Sequence, residues 1–451
     1  MLKIKQIGVL ASFITMLAIT LSLNGPVNAS TPTTTNTIDR NLEPVVIVGT
    51  QIPFFWGESI NEIFVYTYTN GSFGGQIPFQ IDERSDEDVF VALEDNLFDA
   101  NDEIVFMAHD IGDQAPDGSL PPALQASNLI YEVEVSDPLA PSKTGWVYIV
   151  HGPTLTPSFS GDYVDYDPGT QRITSNQYEL GFSGNHAGLD YLAINNSGVD
   201  VLDRGKIRIV SDLSGLLTQM VTENLFNQIT PSEIKDGPIR VIVQQKYEAV
   251  GSTLTTTHVG YNHTLEGIAD LTLADLPGTT ITQLRTSMDF NSNAVGGTFY
   301  NANTQNGVPL DGTPDPGIAD SLSNWFQITL PSGRYIQVTD PSPMGPDPQS
   351  YHEDDSSVGN DTGDGQSFGE FGYIVTDTVD LSPSSSSAFY ILPPTVAPQI
   401  DNVGTQYESF FFNRLQVSAN LIDGTAGIGS IQIWHIPLII SQEPNIIVIP
   451  R

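Results

Sequence analysis

The run Ile63-Phe64-Val65-Tyr66-Thr67-Tyr68 contains only β-branched and aromatic residues, which favour extended strands. Similar short runs recur along the chain at Val45 to Val48, Ile104 to Met107, Trp146 to Val150 and Ile239 to Val243. The 40 Gly and 31 Pro among 451 residues are frequent enough to end each run after a few positions. The pattern predicts an all-β protein, a large antiparallel β-sandwich or supersandwich with one short helix.

One segment fits the helical period better than the strand period. The spacing i, i+3, i+4, i+7, i+8 is met by Leu213, Leu216, Leu217, Met220 and Val221, and Ser211 or Asp212 is available as an N-cap. Gly215 interrupts this segment and would weaken a helix there. The spacing nevertheless predicts the short helix at this place.

The N-terminus has the pattern of an export signal. Lys3 and Lys5 precede the uncharged, mainly apolar stretch 7–23, and small residues up to Ala29 form a cleavage pattern. We expect a signal peptide over residues 1–29 and an exported chain, secreted or held at the cell surface or in the periplasm. An uncleaved N-terminal anchor is the alternative, since the apolar run approaches spanning length. After cleavage, no transmembrane span is expected.

The remaining chain divides by composition. Residues 30–41 include a Thr-rich stretch and are predicted to be a linker. The uncharged, Pro-containing stretch 151–160 separates a predicted smaller N-terminal β-sandwich, residues 42–150, from a predicted larger supersandwich, residues 161–440. A single continuous supersandwich is the alternative, because a linker in a β protein can be a crossover loop.

The charge balance excludes several classes of partner. The sequence has 53 Asp and Glu against 16 Lys and Arg, a net charge of -37. Nucleic-acid binding and electrostatic attachment to anionic lipid both need positive potential, so neither is expected. A hydrophobic content of 39% excludes a wholly disordered acidic chain, and the absence of cysteine excludes disulfides and thiolate metal sites.

Two acidic segments are candidate calcium sites, because calcium takes six to eight hard oxygen ligands. The first supplies Asp99, Asn101, Asp102 and Glu103, and the second supplies Asp354, Asp355, Asp361 and Asp364. The first lacks the glycine of an EF-hand loop, and a solvated turn is its alternative. The second contains no Lys or Arg between residues 351 and 372, so it should repel itself unless a positive charge gathers it.

The scarce cations are concentrated in one part of the chain. Six of the 16 lie between residues 204 and 246, and five of these are the candidate ligand-binding residues Arg204, Lys206, Arg208, Arg240 and Lys246. Alternation along a strand places the first three on one face. If the two strands are neighbours, they form a basic stripe. This stripe would either bind a ligand carboxylate or sulfate or pair with the protein's own acids.

Catalytic candidates come from the requirements of a polysaccharide lyase, which needs a cation for the uronate and a Tyr, His or Lys to move a proton. Tyr178, His186 and Tyr247 lie near the basic residues in sequence. Each of them is more often an ordinary strand or loop residue, and no complete catalytic motif is present.

Four short stretches carry a resemblance. GQIPFQIDE at 75–83, followed by DANDEIVFMA at 99–108, resembles a pairing near the N-terminus of certain secreted bacterial proteins. VLDRGKIR at 201–208 and DGPIRVI at 236–242 are similar to later parts of the same proteins. The resemblance implies the galactose-mutarotase-like supersandwich fold shared by carbohydrate-handling enzymes, without a catalytic residue to carry over.

These observations predict an exported β-sandwich protein that acts as a cell-surface or carbohydrate-binding module and whose partner is a polysaccharide or cell-surface glycan. The alternative is a carbohydrate-active enzyme, a lyase on acidic polysaccharide. The sequence leaves the oligomeric state open.

Overall fold

The computed structural model describes residues 34–433, except 86–88, 92–94, 126–128, 230–231, 274–277, 316–320, 346, 358, 360, 377–384, 393–401 and 424–431. The predicted signal peptide therefore lies outside the described residues. Within them, no helix is both long enough and apolar enough to span a bilayer.

Strands dominate the described chain. The first half contains β1 Pro44–Val48, β2 Ile63–Thr69, β3 Ser72–Gln76, β4 Gln80–Asp82, β5 Glu103–Met107, β6 Leu129–Asp137, β7 Ala140–His151, β8 Val164–Asp167, β9 Arg172–Ser175, β10 Tyr178–Phe182, β11 Leu189–Ile194, β12 Leu202–Leu213, β13 Leu217–Thr222 and β14 Asn227–Gln228. The second half contains β15 Glu233–Asp236, β16 Val241–Ala249, β17 Ser252–Gly260, β18 Thr264–Thr272, β19 Thr279–Phe290, β20 Thr298–Asn301, β21 Val308–Pro309, β22 Trp325–Leu330, β23 Gly333–Thr339, β24 Gln349–Glu353, β25 Glu370–Thr376, β26 Ser385–Leu392, β27 Gln416–Asp423 and β28 Gln432–Ile433.

Helices are few among the described residues. The α-helices are α1 Pro122–Gln125 and α2 Gly404–Phe412. Short 3-10 turns occupy Gly49–Gln51, Pro53–Phe55, Ile60–Glu62, Ala108–Asp110, Glu223–Leu225, Ser292–Ala294 and Ser342–Met344. The predicted all-β class is confirmed.

The strands form five antiparallel sheets. A six-stranded sheet has the order β28-β27-β6-β7-β2-β3, and a three-stranded sheet has the order β1-β5-β4. A ten-stranded sheet runs β14-β16-β17-β18-β26-β23-β22-β20-β21, with β15 also paired to β16. A five-stranded sheet has the order β13-β12-β19-β25-β24, and a four-stranded sheet has the order β11-β10-β9-β8.

The three-stranded sheet is a middle layer, because its central strand β5 is buried on both faces. Successive side chains of a strand point to opposite faces. Ile104 and Phe106 pack into the core shared with the six-stranded sheet. Val105 and Met107 pack instead into a cluster with Ile242 of the ten-stranded sheet. A continuous apolar run such as IVFM is therefore what this position requires.

The ten-stranded sheet is also packed on both faces at β16. On β16, Ile242 faces the three-stranded sheet, whereas Val241 and Val243 enter the largest core. That core also contains Leu180 of the four-stranded sheet and Leu284 of the five-stranded sheet. Separate buried apolar clusters thus lie on both faces of β5 and of β16, between the six-stranded sheet and the five-stranded and four-stranded sheets.

Two segments lie where the predicted boundaries did not place them. The strand β27, inside the predicted region 161–440, pairs along its length with β6 of the six-stranded sheet. Residues 34–41, from the predicted linker 30–41, pack on the body, with the Asn36 backbone N–H donating to Asp113 at 2.8 Å. Arg40 in this segment is buried and pairs with Glu43 at 2.7 Å. Composition could not indicate the pairing of β27 with β6 or the packing of residues 34–41, because both depend on contacts between residues far apart in the sequence.

The predicted helix over 213–221 is wrong, since this segment is the β12–β13 hairpin. Leu213 pairs with Leu217 across the hairpin, and Ser214 and Gly215 have φ values of +53° and +71°. A right-handed helix cannot contain two consecutive residues in this left-handed region. Leu216 at the turn is 86% exposed. The turn interrupts the strand alternation, so the spacing of the apolar residues along the sequence resembles that of a helix.

Candidate functional site

The predicted basic residues of β12 share one face of the five-stranded sheet. Lys206 and Arg208 are buried, and Arg204 is partly exposed. This face is covered by the second acidic segment, whose Asp361 reaches both Lys206 and Arg208. We call the following set the loop cluster: Arg204, Lys206, Arg208, Glu223, Arg285, Asp289, Asp361 and Glu370.

Lys206 is the centre of the loop cluster. Its Nζ lies 2.6 Å from Asp289 Oδ2, 2.8 Å from Asp361 Oδ2 and 3.3 Å from Glu370 Oε2. Burial alone would raise the pKa of Asp361, but hydrogen bonds from Lys206 and Arg208 hold this pKa well below its usual range. The positive charge that gathers the acidic segment at Asp361 therefore comes from the protein's own strands.

Arg240 belongs to a separate group of charges. Its guanidinium lies 2.6 Å from Asp82 and 2.6 Å from Glu103, and Lys235 lies 3.1 Å from Asp82. These residues, together with Arg84 at 2.7 Å from Glu103, form what we call the junction cluster. It links β4 and β5 of the three-stranded sheet to the start of the ten-stranded sheet.

The basic stripe does not form, because β12 and β16 belong to different sheets and are not neighbours. Lys246 on β16 is exposed and lies opposite Thr255. Arg204 lies 3.5 Å from Asp203 and 3.6 Å from Glu223. Of the five predicted ligand-binding cations, four are thus paired with the protein's own carboxylates.

Two carboxylates of the first predicted calcium segment, Asp102 and Glu103, use their oxygens within the chain. Asp102 accepts hydrogen bonds from the backbone N–H groups of Arg84 at 2.9 Å and Asp99 at 2.7 Å. Asn101 donates to the Ser85 carbonyl at 2.8 Å, and Glu103 belongs to the junction cluster. Burial raises the pKa of Asp102 although both backbone donors act in the opposite direction.

The other carboxylates of the second segment also accept hydrogen bonds from within the chain. Asp354 accepts from the backbone N–H groups of Asp311 and Gly312, each at 2.9 Å. Asp355 accepts from Ser357, and Asp364 accepts from the Gln366 N–H at 2.8 Å. Within the described part of the chain, no group of three or more His, Asp or Glu residues is arranged to hold a metal. Calcium binding at either segment stays a prediction.

An open groove of about 550 Å³ lies where the turn between β8 and β9 faces β14 and β15. Its lining consists of Tyr166, Pro168, Gln171, Gln228, Ile229, Ser232 and Ile234. None of these seven residues is charged, although the chain carries 53 carboxylate side chains. The groove therefore offers one aromatic ring, neutral amides and a hydroxyl.

Two hydrogen bonds hold the polar groups around Ser232 in the groove. The Ser232 hydroxyl accepts from the Gln228 amide at 3.0 Å and from the Gln245 amide at 3.3 Å, which leaves its own proton to donate. Gln171 has φ +55°, an uncommon conformation for a residue other than glycine, and its side chain is exposed. Such local strain is often found at functional sites.

A smaller cavity of about 70 Å³ adjoins the groove and shares Gln228 with it. Its lining consists of Ser183, Gly184, Asn185, His186, Phe226, Asn227, Gln228 and Tyr247. Two of the three predicted catalytic candidates, His186 and Tyr247, thus come together here. Tyr178 does not: its buried hydroxyl donates to the Tyr261 carbonyl at 2.8 Å and ties the four-stranded sheet to the ten-stranded sheet.

His186 and Tyr247 have different surroundings in this cavity. His186 Nδ1 lies 3.1 Å from the Ala187 carbonyl, and its Nε2 lies 3.4 Å from Asp190. Burial raises the pKa of Tyr247 to about 12, although the Gly188 backbone acts in the opposite direction. Tyr247 therefore keeps its proton at neutral pH and can donate a hydrogen bond.

Sequence reasoning missed Tyr166, Gln171, Gln228 and Ser232. Neutral residues at turns and strand ends have no characteristic spacing, so no motif could have identified them. His186 and Tyr247 were named as candidates because a proton-transfer role requires their residue types, and their catalytic role stays a prediction.

No protein-family model and no curated protein sequence matches this chain. Among solved structures, it is similar to an α-mannosidase from Enterococcus faecalis, with a TM-score of 0.45 and 10% sequence identity. The similarity covers 86% of this chain and 44% of the mannosidase, so the chain spans less than half of that protein. A likeness of this degree says nothing about activity.

Proposed function

We propose that this is an exported carbohydrate-binding or cell-surface module and that the groove at Tyr166 takes a neutral glycan. The observation that carries the proposal is the lining itself: an aromatic ring beside neutral amides and a hydroxyl, in a chain of net charge -37. Sugars present apolar C–H faces and many hydroxyls, and these groups suit a tyrosine ring and neutral hydrogen-bonding side chains.

An acidic polymer suits this groove less well. Four of the five cations predicted for its recognition lie in the loop and junction clusters, where carboxylates already neutralise them. Long-range repulsion from the rest of the protein would also slow its approach. The proposal therefore departs from a polyuronate ligand on a basic stripe and favours an uncharged polysaccharide.

The test is binding of purified protein to mannan, β-glucan and polygalacturonate by isothermal titration. We expect binding to a neutral polymer, weakened about tenfold by Tyr166→Ala and by Gln228→Ala, which corresponds to about 1.4 kcal/mol. Gln219→Ala is the matched control, because Gln219 is an exposed glutamine on the edge strand β13, away from the groove lining. Failure of every neutral polymer, or equal binding by all variants, would overturn the proposal.

A lyase on acidic polysaccharide is the alternative, and one observation favours it: His186 and Tyr247 share the cavity beside the groove. In that case His186 would take the proton and Tyr247 would give one to the leaving oxygen. Incubation with polygalacturonate would then generate an unsaturated uronate that absorbs in the ultraviolet. His186→Ala should abolish this signal, and a lack of absorbance change with the wild-type protein would exclude this activity on polygalacturonate.

Export is part of the proposal and has its own test. Intact-mass measurement of protein from its native host should give a chain that begins at Ser30. Retention of Met1 would replace the secreted module with an anchored one.

A further inference from the structure

Three buried side chains of the loop cluster come from three adjacent strands. Lys206 on β12, Asp289 on β19 and Glu370 on β25 all have side chains that are 0% exposed. Asp289 and Glu370 are direct register partners, and Lys206 lies opposite Ser287, diagonal to Asp289. The amine and the two carboxylates are therefore held together by the pairing of the sheet itself.

The two carboxylates have different surroundings. Glu370 is anchored at Oε1 by the Ser287 hydroxyl and by Arg285 at 3.2 Å, while its Oε2 lies 3.3 Å from Lys206 Nζ. The described residues offer Asp289 no side-chain donor within hydrogen-bonding distance except the Lys206 amine, at 2.6 Å. Of the three carboxylates around Lys206, Asp289 thus lies nearest to the amine.

Each buried charge costs solvation energy, so burial narrows the difference in free energy between the ion pair and the neutral acid and amine. Burial raises the pKa of Asp289 to about 8, although the Lys206 charge acts in the opposite direction. Burial acts against the charged amine, but the surrounding carboxylates outweigh it and raise the pKa of Lys206. The amine is therefore nucleophilic only when its proton has passed to Asp289. Glu370 lies within reach of Nζ and can carry the second proton.

We propose that Lys206 and Asp289 become joined by an intramolecular isopeptide bond, with Glu370 as the proton relay. After the proton transfer, the neutral Nζ attacks Cγ of Asp289 and forms a tetrahedral intermediate. Glu370 accepts a proton from Nζ and gives it to the departing hydroxyl, which leaves as water while the C–N bond becomes an amide. One ammonium and one carboxylate are replaced by one amide and one water, so atoms and charge balance without an oxidant or cofactor.

The cover over these residues suits this reaction, because amide formation from an acid and an amine is favoured where water is excluded. The acidic segment closes the cluster through Asp361 and Thr362, which Arg208 holds by its guanidinium. The bond would link β12 to β19 in a chain that has no cysteine and hence no disulfide. A cross-link between distant positions restricts the unfolded chain and so stabilises the fold.

The test is mass spectrometry of the denatured full-length chain, followed by peptide mapping with trypsin. We expect the wild-type chain to weigh one water less than its sequence, with no cleavage after Lys206 and a branched peptide that joins Lys206 to Asp289. Lys206→Arg and Asp289→Ala should restore the full mass, and Glu370→Gln should slow or abolish the loss.

Lys235→Arg is the matched control, because Lys235 also contacts a buried aspartate, Asp82 at 3.1 Å, and should keep the loss of water. The wild-type mass decides the matter even if a variant fails to fold. A full-mass wild-type chain, or a water loss that maps to another pair of residues, overturns the bond. A folded Glu370→Gln protein that reacts as completely as wild type overturns the role of Glu370.

Discussion

The loop and junction clusters differ from the groove in how they use charge. The clusters bury Lys206, Arg208 and Arg240 against carboxylates, whereas the groove at Tyr166 has no charged lining residue. A chain with 16 cations and 53 acids gains most by placing its cations where acids are buried. The comparison teaches that scarce charges here hold layers and loops together, while the groove proposed as the binding site is lined by neutral groups.

The largest expected effect comes from the junction cluster. Arg240→Met should lower the free energy of unfolding by about 3–5 kcal/mol, because Asp82 is fully buried and would lose its main partner. Urea denaturation followed by circular dichroism measures this loss. Lys246→Met is the control, since Lys246 is exposed, and it should change stability by less than about 0.5 kcal/mol. Equal stability of the two variants would contradict a structural role for Arg240.

The loop cluster should give a somewhat smaller effect. Arg208→Gln should cost about 3 kcal/mol, because Glu223 is buried but Asp361 keeps Lys206 as a partner. Limited proteolysis should also cut the segment 354–369 faster in this variant, since the segment loses one of its attachments. If stability is unchanged and an acidic glycan binds to wild type but not to Arg208→Gln, the arginine is a ligand residue and the comparison fails.

Acid should weaken the fold through buried histidines. Burial lowers the pKa of His258, His263 and His352 from 6.5 to about 4 each. The unfolded chain binds protons that the folded chain does not, so stability is full above pH 6.5 and falls as pH drops towards 4. His352→Leu, beside Phe299 at 4.6 Å, should reduce this pH slope by about one proton. Chemical denaturation at several pH values measures it, and an unchanged slope would contradict the burial effect.

Calcium tests whether the acidic segment of the loop cluster binds a metal in addition to Lys206 and Arg208. The sequence predicts that it binds around Asp354 to Asp364, and binding to the folded state alone adds about 2.7 kcal/mol at a hundredfold excess over Kd. Millimolar calcium should then raise the melting temperature, and chelator should reverse the rise. Identical melting curves at constant ionic strength would leave Lys206 and Arg208 as the counter-ions of this segment.

The smallest expected effect concerns salt and the groove. Because the groove lining is neutral, affinity for a neutral polysaccharide should change less than about twofold between low and high salt. Titration at two ionic strengths measures this change. A steep decrease in affinity with salt would mean that charged residues contribute to binding, and it would erase the difference between the groove and the clusters.

Much of the fold could be predicted from local sequence. The runs at 45–48, 63–68, 104–107 and 146–150 are strands in the structure, because β-branched and aromatic residues favour extended backbone. The hairpin at 213–221 was misread as a helix, since Ser214 and Gly215 turn the chain and shift its apolar residues. Strand propensity and period are local properties, so they fail where a turn changes the register.

The candidate site was less accessible from sequence. Residue type alone indicated His186 and Tyr247, but their shared cavity depends on strands and turns brought together by the fold. Tyr166 and Gln228 carry no signal until β8 and β14 lie beside the same groove.

The sequence by itself determined the all-β class, the acidity, the lack of thiol chemistry and the alternation of Arg204, Lys206 and Arg208 on one face. Only the tertiary structure decided the partners of those cations. It placed Asp289 and Asp361 against Lys206 and separated Arg240 into another layer. The physical reason is that composition and spacing fix which charges exist and where they point along a strand, whereas sheet pairing decides which of them meet and lose their water.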